Sequence, residues 1–167
     1  MRFLWLLPIA LVVGLDQLTK YLAIVHLKNI DTMPLIDGVL HLTYLENRGA
    51  AFGILKNHRW IFMVTSTVAV IAIIAFMLAC YKKHYHPLLY TGLALIAGGG
   101  IGNMIDRVAL GYVVDFVDFR LINFAIFNVA DAFVCIGCAL VLLQIIVGDY
   151  IEARKNKAGD HSSPTQN

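Results

Sequence analysis

The stretch WIFMVTSTVAVIAIIAFMLACY, residues 60–81, decides the fold class of this chain. It carries no charged side chain, and it is as long as the roughly 20 residues that an α-helix needs to cross the hydrocarbon core of a bilayer. Inside lipid the backbone has no water to bind, so a spanning segment satisfies its own N–H and C=O groups as a helix. The stretch therefore predicts a transmembrane helix.

The composition of the whole chain agrees with this prediction. Of the 167 residues, 59% are hydrophobic and 14% are charged. A soluble domain has about 45–50% apolar and about 25% charged residues. A soluble enzyme, a disordered tail protein and a disulfide-stabilised secreted module are therefore excluded. The net charge of +2 is too small to indicate nucleic acid as a partner.

Three other apolar stretches extend the prediction along the chain. Together they predict four transmembrane helices, at residues 3–27, 60–81, 88–107 and 129–148. We expect the first to be a retained span and not a cleaved signal peptide, because apolar sequence resumes after Lys20. An even number of spans places both termini on one side of the membrane.

The orientation of the bundle depends on how Lys and Arg are distributed. Their numbers on the two sides are equal, so the positive-inside count alone does not decide. Their density does, because Lys82 and Lys83 occupy a very short turn and the basic segment 154–157 directly follows the fourth span. We therefore expect cytoplasmic termini.

Two segments on the outer side carry strand patterns. In the extracytoplasmic segment 28–59, residues alternate with a period of two over 40–45, after turn signals at Pro34 and Asp37-Gly38. The second outer segment contains the β-branched and aromatic run VVDFVDF at 113–119. These patterns predict a small sheet on the outer face of the membrane.

The predicted fold is a membrane all-α bundle of four transmembrane helices with a small extracytoplasmic β-sheet and loop subdomain. Residues 1–157 form a single integral-membrane domain, and the polar segment 158–167 is expected to be a disordered tail. Within the bundle, Gly98 and Gly102 form a small-xxx-small face that favours close packing of helices.

Ionisable side chains within membrane spans are costly, at roughly 2.5–3.5 kcal/mol each on insertion scales, so each one needs a partner or a role. Asp16 and Lys20 are spaced i,i+4 with the acid first, which is the favourable order for a helical ion pair. We interpret them as a mutually neutralised pair in preference to groups that act directly in chemistry.

Four carboxylates cluster around the outer ends of the third and fourth spans: Asp106, Asp115, Asp118 and Asp131. Asp106 has Arg107 beside it as a neutralising neighbour. Asp115 and Asp118 lie on opposite faces of a strand, so at most one of them faces the bundle. Asp131 follows Asn128 by three residues, as an acid at N3 follows a helix N-cap, so capping and chemistry explain it equally well.

Two carboxylates held within a few ångströms share one proton, and such a pair can activate water against a peptide carbonyl. This chemistry requires no metal or cofactor, and we expect none. The histidines are scattered, and Cys135 and Cys138 have no second pair of soft ligands nearby. Two other classes stay open. A small proton or ion carrier would use intramembrane acids as relays, and a non-catalytic scaffold would leave the acids without a role.

Five sequence blocks carry a resemblance to a known family. They are DQLTK at 16–20, ENRGAAFG at 46–53, GGIGNMIDR at 99–107, VVDF at 113–116 and FNVAD at 127–131. With these blocks in this order and spacing, the chain resembles the lipoprotein signal peptidases (signal peptidase II), which are bacterial inner-membrane aspartic endopeptidases. The resemblance extends from Asp16 to the end of the fourth span.

The resemblance implies roles for individual residues. It places the catalytic aspartates at Asp115 and Asp131, whereas the residue pattern alone does not distinguish Asp115 from Asp118. Seven further residues are implied to support the site or to bind substrate: Asp16, Lys20, Asn47, Gly49, Asn103, Arg107 and Asn128. Ala132 departs from the family pattern, because Ser or Thr often follows the second aspartate.

The resemblance also implies a substrate and a location. The substrate is a prolipoprotein whose lipobox cysteine carries diacylglycerol, and the cleaved bond lies N-terminal to that cysteine. Membrane lipid is the expected surrounding partner, and the chain is expected to act as a monomer in the bacterial cytoplasmic (inner) membrane. The active site is expected near the outer face, where the segment 28–59 closes over it as a lid.

Overall fold

The computed structural model describes residues 5–49, 59–80 and 86–160. The elements in this part of the chain are α1 (Leu6–Leu27), β1 (Thr32–Ile36), β2 (Leu40–Asn47), α2 (Arg59–Ala79), α3 (Pro87–Ala109), β3 (Val113–Phe119), a 3₁₀ turn (Arg120–Ile122) and α4 (Val129–Asp160). The predicted combination of long helices with a small sheet is confirmed.

Three helices in the described ranges are long and apolar enough to cross a membrane. They are α1, α3 and the part of α4 from Val129 to Gly148. Helix α2 contributes a shorter apolar stretch at Met63–Ala79. A fourth crossing, by α2, therefore stays a prediction.

Helix α4 is longer than the predicted fourth span. It continues past Gly148 to Asp160, so residues 158–160 of the predicted disordered tail are helical. The segment that follows Gly148 is rich in Glu, Ala, Arg and Lys, and the high helix propensity of these residues lets the helix extend beyond its apolar part. Residues 161–167 of the predicted tail, and residues 3–4 of the first predicted span, lie outside the described residues.

Large apolar side chains cover the outside of the helices. Leu11 and Leu18 on α1, and Leu142 and Ile146 on α4, are more than half exposed. Apolar area in water costs roughly 25 cal/mol per Å², and contact with lipid removes that cost. The surface is that of a multi-pass membrane protein.

The three strands form an antiparallel sheet in the order β1-β2-β3. Strands β2 and β3 confirm the two predicted strand patterns. The turn predicted at Pro34 is wrong, because Pro34 lies within β1, an edge strand that tolerates a residue without a backbone N–H. The turn predicted at Asp37-Gly38 is confirmed, and Gly38 adopts a positive φ of 70° there.

The sheet packs against the C-terminal end of α1. Val114 and Phe116 of β3 share a buried apolar cluster with Ala23 and Leu27 of α1. Strand β3 also connects the end of α3 to the start of α4. The sheet therefore lies at the end of the bundle where α1 and α3 end and α4 begins.

Helix α3 is the centre of the bundle and contacts α1, α2 and α4. Glycines permit these close approaches. A Cβ on Gly98 would lie 2.8 Å from Val12 Cβ, and a Cβ on Gly99 would lie 2.5 Å from the carbonyl oxygen of Ala130. The packing role predicted for Gly98 is confirmed, and α1, α3 and the first turn of α4 meet at one level.

Candidate active site

The first turn of α4 fixes the position of Asp131. Asn128 Oδ1 accepts a hydrogen bond from the Asp131 backbone N–H at 3.0 Å, and Asp131 Oδ2 accepts one from the Asn128 backbone N–H at 3.2 Å. This reciprocal pair is a capping box, which satisfies N–H groups that a helix start otherwise leaves unpaired. The N-cap and the acid at N3 predicted from the sequence are confirmed.

A β-bulge in β2 aligns Asn47 with Asp115. Leu42 pairs with Val117, but Leu45 pairs with Asp115, so β2 contains one extra residue between the two pairs. A shift of one residue moves all later side chains of β2 to the other face of the sheet. Asn47 thereby shares a face with Asp115, and its Nδ2 donates to Asp115 Oδ2 at 2.8 Å.

Two side-chain amides hold the carboxylate of Asp115. The Gly49 N–H donates to Asn47 Oδ1 at 3.0 Å, which orients the amide so that its Nδ2 faces Asp115. Asn128 Nδ2 donates to Asp115 Oδ1 at 2.7 Å. Both oxygens of a carboxylate that is only 1% exposed therefore accept a hydrogen bond.

Asp118 faces away from this site. Its Oδ2 accepts hydrogen bonds from Arg120 Nε and from Thr43 Oγ1, each at 2.8 Å. The prediction that Asp115 and Asp118 lie on opposite faces is confirmed by the register of β3. The structure brings Asp115, and not Asp118, to the start of α4.

Two asparagines connect the two aspartates. Asn128 binds both, because its side chain donates to Asp115 while its backbone N–H donates to Asp131. Asn103 Nδ2 donates to Asp131 Oδ1 at 2.7 Å, and Asn103 Oδ1 accepts from Asn128 Nδ2 at 3.0 Å. The two carboxylates thus share one hydrogen-bonded network.

A cavity of about 470 Å³ lies beside this network. Its polar side is formed by predicted site residues: Asn47, Gly49, Asn103, Arg107, Asp115 and Asp131. Its apolar side includes Phe124, Ile126, Phe127 and Cys135. A cavity with a few convergent polar groups and an apolar wall suits a ligand that has both characters.

The environment of Asp115 changes its acidity. Burial, which removes the water that stabilises the charged form, raises the pKa of Asp115 from 3.8 to about 6, and the negative charge of Asp131 adds to the rise. Hydrogen bonds from Asn47 and Asn128 and the positive charge of Lys20 oppose it. Two neighbouring carboxyl groups, one with a raised pKa, can hold a single proton between them and act as acid and base on one water.

Behind the cavity, α1 and α3 share a buried ion cluster. The predicted pair of Asp16 and Lys20 is confirmed, with 2.9 Å between Lys20 Nζ and Asp16 Oδ2. Lys20 Nζ also lies 3.1 Å from Asp106 Oδ2 and 2.9 Å from Asn103 Oδ1. The sequence suggests Arg107 as the residue that neutralises Asp106. The structure shows that Lys20 is an ion-pair partner of Asp106.

Sequence reasoning from charge and spacing missed Gln17 and the role of Asp106. Gln17 Nε2 donates to Asp106 Oδ1 at 3.0 Å and to the Gly102 carbonyl at 3.2 Å. The signal that marks both residues is their place inside the DQLTK and GGIGNMIDR blocks. Arg107 lines the cavity, and its Nη1 donates to the Asn103 carbonyl at 3.3 Å.

The sequence predicts a site without a metal ion. In the described ranges, no group of three His, Cys, Asp or Glu side chains is arranged to hold a metal ion.

The predicted lid, 28–59, is described only in part, because residues 50–58 lie outside the described residues. Its closure over the site stays a prediction.

The chain has relatives along nearly its whole length. The sequence profile of the family described as signal peptidase (SPase) II matches residues 8–147. A lipoprotein signal peptidase of Clostridioides difficile (strain 630) is 43% identical over 86% of this chain and 95% of its own length. Another, from Caldanaerobacter subterraneus subsp. tengcongensis, is 50% identical over 83% of this chain and 92% of its own length.

Two solved structures, both described as bacterial membrane enzymes, share the fold. One has a TM-score of 0.77 at 30% sequence identity and covers 97% of this chain and 94% of that chain. The other has a TM-score of 0.74 at 34% identity and covers 84% and 91%. Together with the matching profile and relatives, they confirm the resemblance carried by the five blocks. The chain therefore belongs to the signal peptidase II family.

Proposed function

We propose that this chain is a membrane-embedded aspartic endopeptidase that removes signal peptides from diacylglyceryl-modified prolipoproteins, with Asp115 and Asp131 as its catalytic pair. The observation that carries the proposal is the shared contact of both carboxylates with Asn128 at one cavity. Family membership supports the peptidase activity and the class of substrate.

The catalytic step needs one proton on the pair. The raised pKa of Asp115 makes it the group that holds this proton, and exclusion of water by a bound substrate raises that pKa further. Ionised Asp131 takes a proton from water as the water oxygen attacks the scissile carbonyl carbon. Asp115 at the same time donates its proton to the carbonyl oxygen, which gives a neutral gem-diol.

Collapse of the gem-diol completes the reaction. Asp131 gives the proton that it received to the leaving nitrogen, and the C–N bond breaks. Asp115 recovers a proton from one hydroxyl of the diol as the new carboxyl group forms. Both aspartates return to their starting protonation states, so the cycle consumes one water and needs no covalent enzyme intermediate.

The position of the site fits a substrate anchored by lipid. We propose four membrane crossings, including α2, with cytoplasmic termini and with the site near the outer face of the inner membrane. The apolar wall of the cavity supports contact with acyl chains, while the polar side holds the peptide. We also propose that the chain acts as a monomer.

The test is cleavage of a diacylated precursor peptide by the purified protein in detergent. We expect the wild type to cut N-terminal to the lipidated cysteine, and the Asp115→Asn and Asp131→Asn variants each to lose activity while they still insert and fold. The matched control is Asp118→Asn, on the opposite face of β3, which should retain substantial activity.

Three outcomes would contradict the proposal. Normal cleavage by either the Asp115→Asn or the Asp131→Asn variant would remove that residue from the catalytic pair. Complete loss of activity in Asp118→Asn would mean that the wrong residue of β3 is assigned. A wild-type protein that leaves the lipidated peptide intact but moves protons or ions across vesicles would support a carrier.

A further inference from the structure

A buried cation lies behind the candidate site, between two carboxylates. Lys20 Nζ is 2.9 Å from Asp16 Oδ2 and 3.1 Å from Asp106 Oδ2. The exposed fractions of the three side chains are 3%, 0% and 4% for Lys20, Asp16 and Asp106. None of the three is among the residues that line the cavity, so a substrate seated there meets none of them.

Each carboxylate of this cluster also binds one backbone N–H, and the two N–H groups are equivalent in sequence. Asp106 Oδ2 accepts from the N–H of Val114 at 3.0 Å, and Val114 immediately precedes Asp115. Asp16 Oδ1 accepts from the N–H of Ala130 at 3.0 Å, and Ala130 immediately precedes Asp131. One lysine therefore joins two carboxylates, each of which holds the backbone beside one aspartate of the pair.

A third contact of the lysine reaches the pair through a side chain. Lys20 Nζ donates to Asn103 Oδ1 at 2.9 Å, and this bond leaves the Asn103 Nδ2 to donate to Asp131 Oδ1 at 2.7 Å. The cluster thus constrains the start of β3, the first turn of α4 and the amide between the two aspartates.

We propose that Asp16, Lys20 and Asp106 form a clamp that sets the separation of the catalytic carboxylates, with Asp106 as the positioning residue for Asp115 and Asp16 for Asp131. This inference rests on the proposed function. Its physical basis is that a buried ion cluster has a narrow range of geometries, since moving one member leaves an uncompensated charge. Displacement of a reacting group by about 1 Å lowers a rate by about 100-fold.

Strand β3 provides the matched comparison for the clamp. Asp118 is also a carboxylate on β3, and its ion-pair partner Arg120 is 41% exposed at the side chain. It binds neither Lys20 nor a backbone group beside the pair. If removing any carboxylate that contacts β3 lowered activity, Asp118→Ala would also lose activity. If only the clamp matters, Asp118→Ala should keep its activity.

The test combines kinetics with amide hydrogen exchange in the full-length protein. In Asp106→Ala we expect the Val114 amide to lose protection while the Ala130 amide keeps it, and in Asp16→Ala we expect the reverse. In both variants kcat per folded molecule should fall by about 100-fold, with KM within about threefold of wild type. Asp118→Ala should match wild type in both readouts.

The outcomes separate the clamp from general stability and from the proposed function. Protection retained at Val114 in Asp106→Ala, or a loss of activity that only follows the loss of folded protein, would overturn the clamp. If Asp106→Ala does not fold, Asp106→Asn keeps the side-chain shape and removes the charge, and the same exchange pattern is expected in weaker form. A wild type without peptidase activity would refute the proposed function, while the exchange readout still tests the clamp.

Discussion

At the scale of single residues, the chemistry of this site depends on how Asp115 is surrounded. Burial and a neighbouring carboxylate favour its protonated form, and the amides of Asn47 and Asn128 favour its ionised form. The balance raises the pKa of Asp115 to about 6, near the range in which a group can both hold and release a proton. Removing one amide should therefore change the pH dependence of the enzyme and not only its rate.

Replacement of Asn47 by Leu should move the alkaline limit of kcat/KM to higher pH. The Asn47 hydrogen bond stabilises the charged form of Asp115, so its loss raises the pKa further and preserves the proton at higher pH. A hydrogen bond to a charged group contributes roughly 1.5–3 kcal/mol, so we expect a shift of about one to two pH units. Thr43→Val, which removes a hydrogen bond to Asp118, is the control. A shift to lower pH in Asn47→Leu would contradict the assignment of Asp115 as the acid.

The raised pKa of Asp115 also predicts how the stability of the protein depends on pH. Because the folded state binds the Asp115 proton more tightly than the unfolded state does, this group's contribution to stability is present below pH 3.8 and is lost as the pH rises through about 6. Asp115→Asn removes the titrating group. The free energy of unfolding of this variant should then fall less than that of wild type between pH 4 and 7, measured by denaturation in detergent. Parallel pH profiles would show that Asp115 does not titrate in this range.

At the scale of secondary-structure elements, one residue at the start of α4 both caps the helix and contacts the side chains of the site. Asn128 Oδ1 caps the helix, and Asn128 Nδ2 binds both Asp115 and Asn103. Ser also caps helices well but cannot supply the amide donor, so one substitution separates the two roles.

We therefore expect Asn128→Ser to keep most of the stability of the protein and to lose at least tenfold in kcat. Asn128→Ala loses both roles and should be less stable than Asn128→Ser by about 1 kcal/mol, the usual contribution of an N-cap. Thermal unfolding and single-turnover cleavage measure the two effects. Equal activity of Asn128→Ser and wild type would show that the Asn128 amide does not act in the site.

The crossing of α3 with its neighbours gives a second prediction at this scale. A Cβ on Gly99 would lie 2.5 Å from the Ala130 carbonyl oxygen, which is backbone and has little freedom to move. Gly99→Ala should therefore separate α3 from the first turn of α4, lowering both the melting temperature and activity. Gly14→Ala is the control, because a Cβ on Gly14 meets nothing within 4 Å and Ala has the higher helix propensity. Equal destabilisation by both changes would contradict the packing argument.

At the scale of the whole molecule, the helices face lipid while the sheet and the site lie together at one end of the bundle. Strand β3 and the turn between β1 and β2 belong to that end, and the C-terminal end of α4 belongs to the other. Orientation in the membrane therefore decides on which side of the membrane the cleaved bond must lie.

Thiol labelling of spheroplasts tests this orientation. In a background with the three native cysteines replaced by Ala, a membrane-impermeant reagent should label Asp37→Cys, in the turn between β1 and β2. It should label Gln166→Cys only after the membrane is permeabilised. The opposite pattern would place the site on the cytoplasmic side and would contradict the proposed topology.

Features that depend only on neighbouring residues in the chain could be predicted from the sequence. Apolar length predicts the helices, period-two patterns predict β2 and β3, and the Asn128 to Asp131 spacing predicts the cap of α4, because each is a local property of the backbone. Strand β1 escaped prediction, since Pro34 is a turn signal in sequence and an edge-strand residue in the sheet.

Contacts between groups far apart in the chain could not be predicted from the sequence and became visible in the fold. The placement of Asp115, and not Asp118, at the start of α4 depends on strand register, and the contact of Asn47 with Asp115 depends on a one-residue bulge in β2 that no local pattern encodes. The pairing of Lys20 with Asp106 likewise required α1 to pack against the glycines of α3. Periodicity specifies faces within one element, whereas the relative placement of elements comes from packing between segments far apart in the chain.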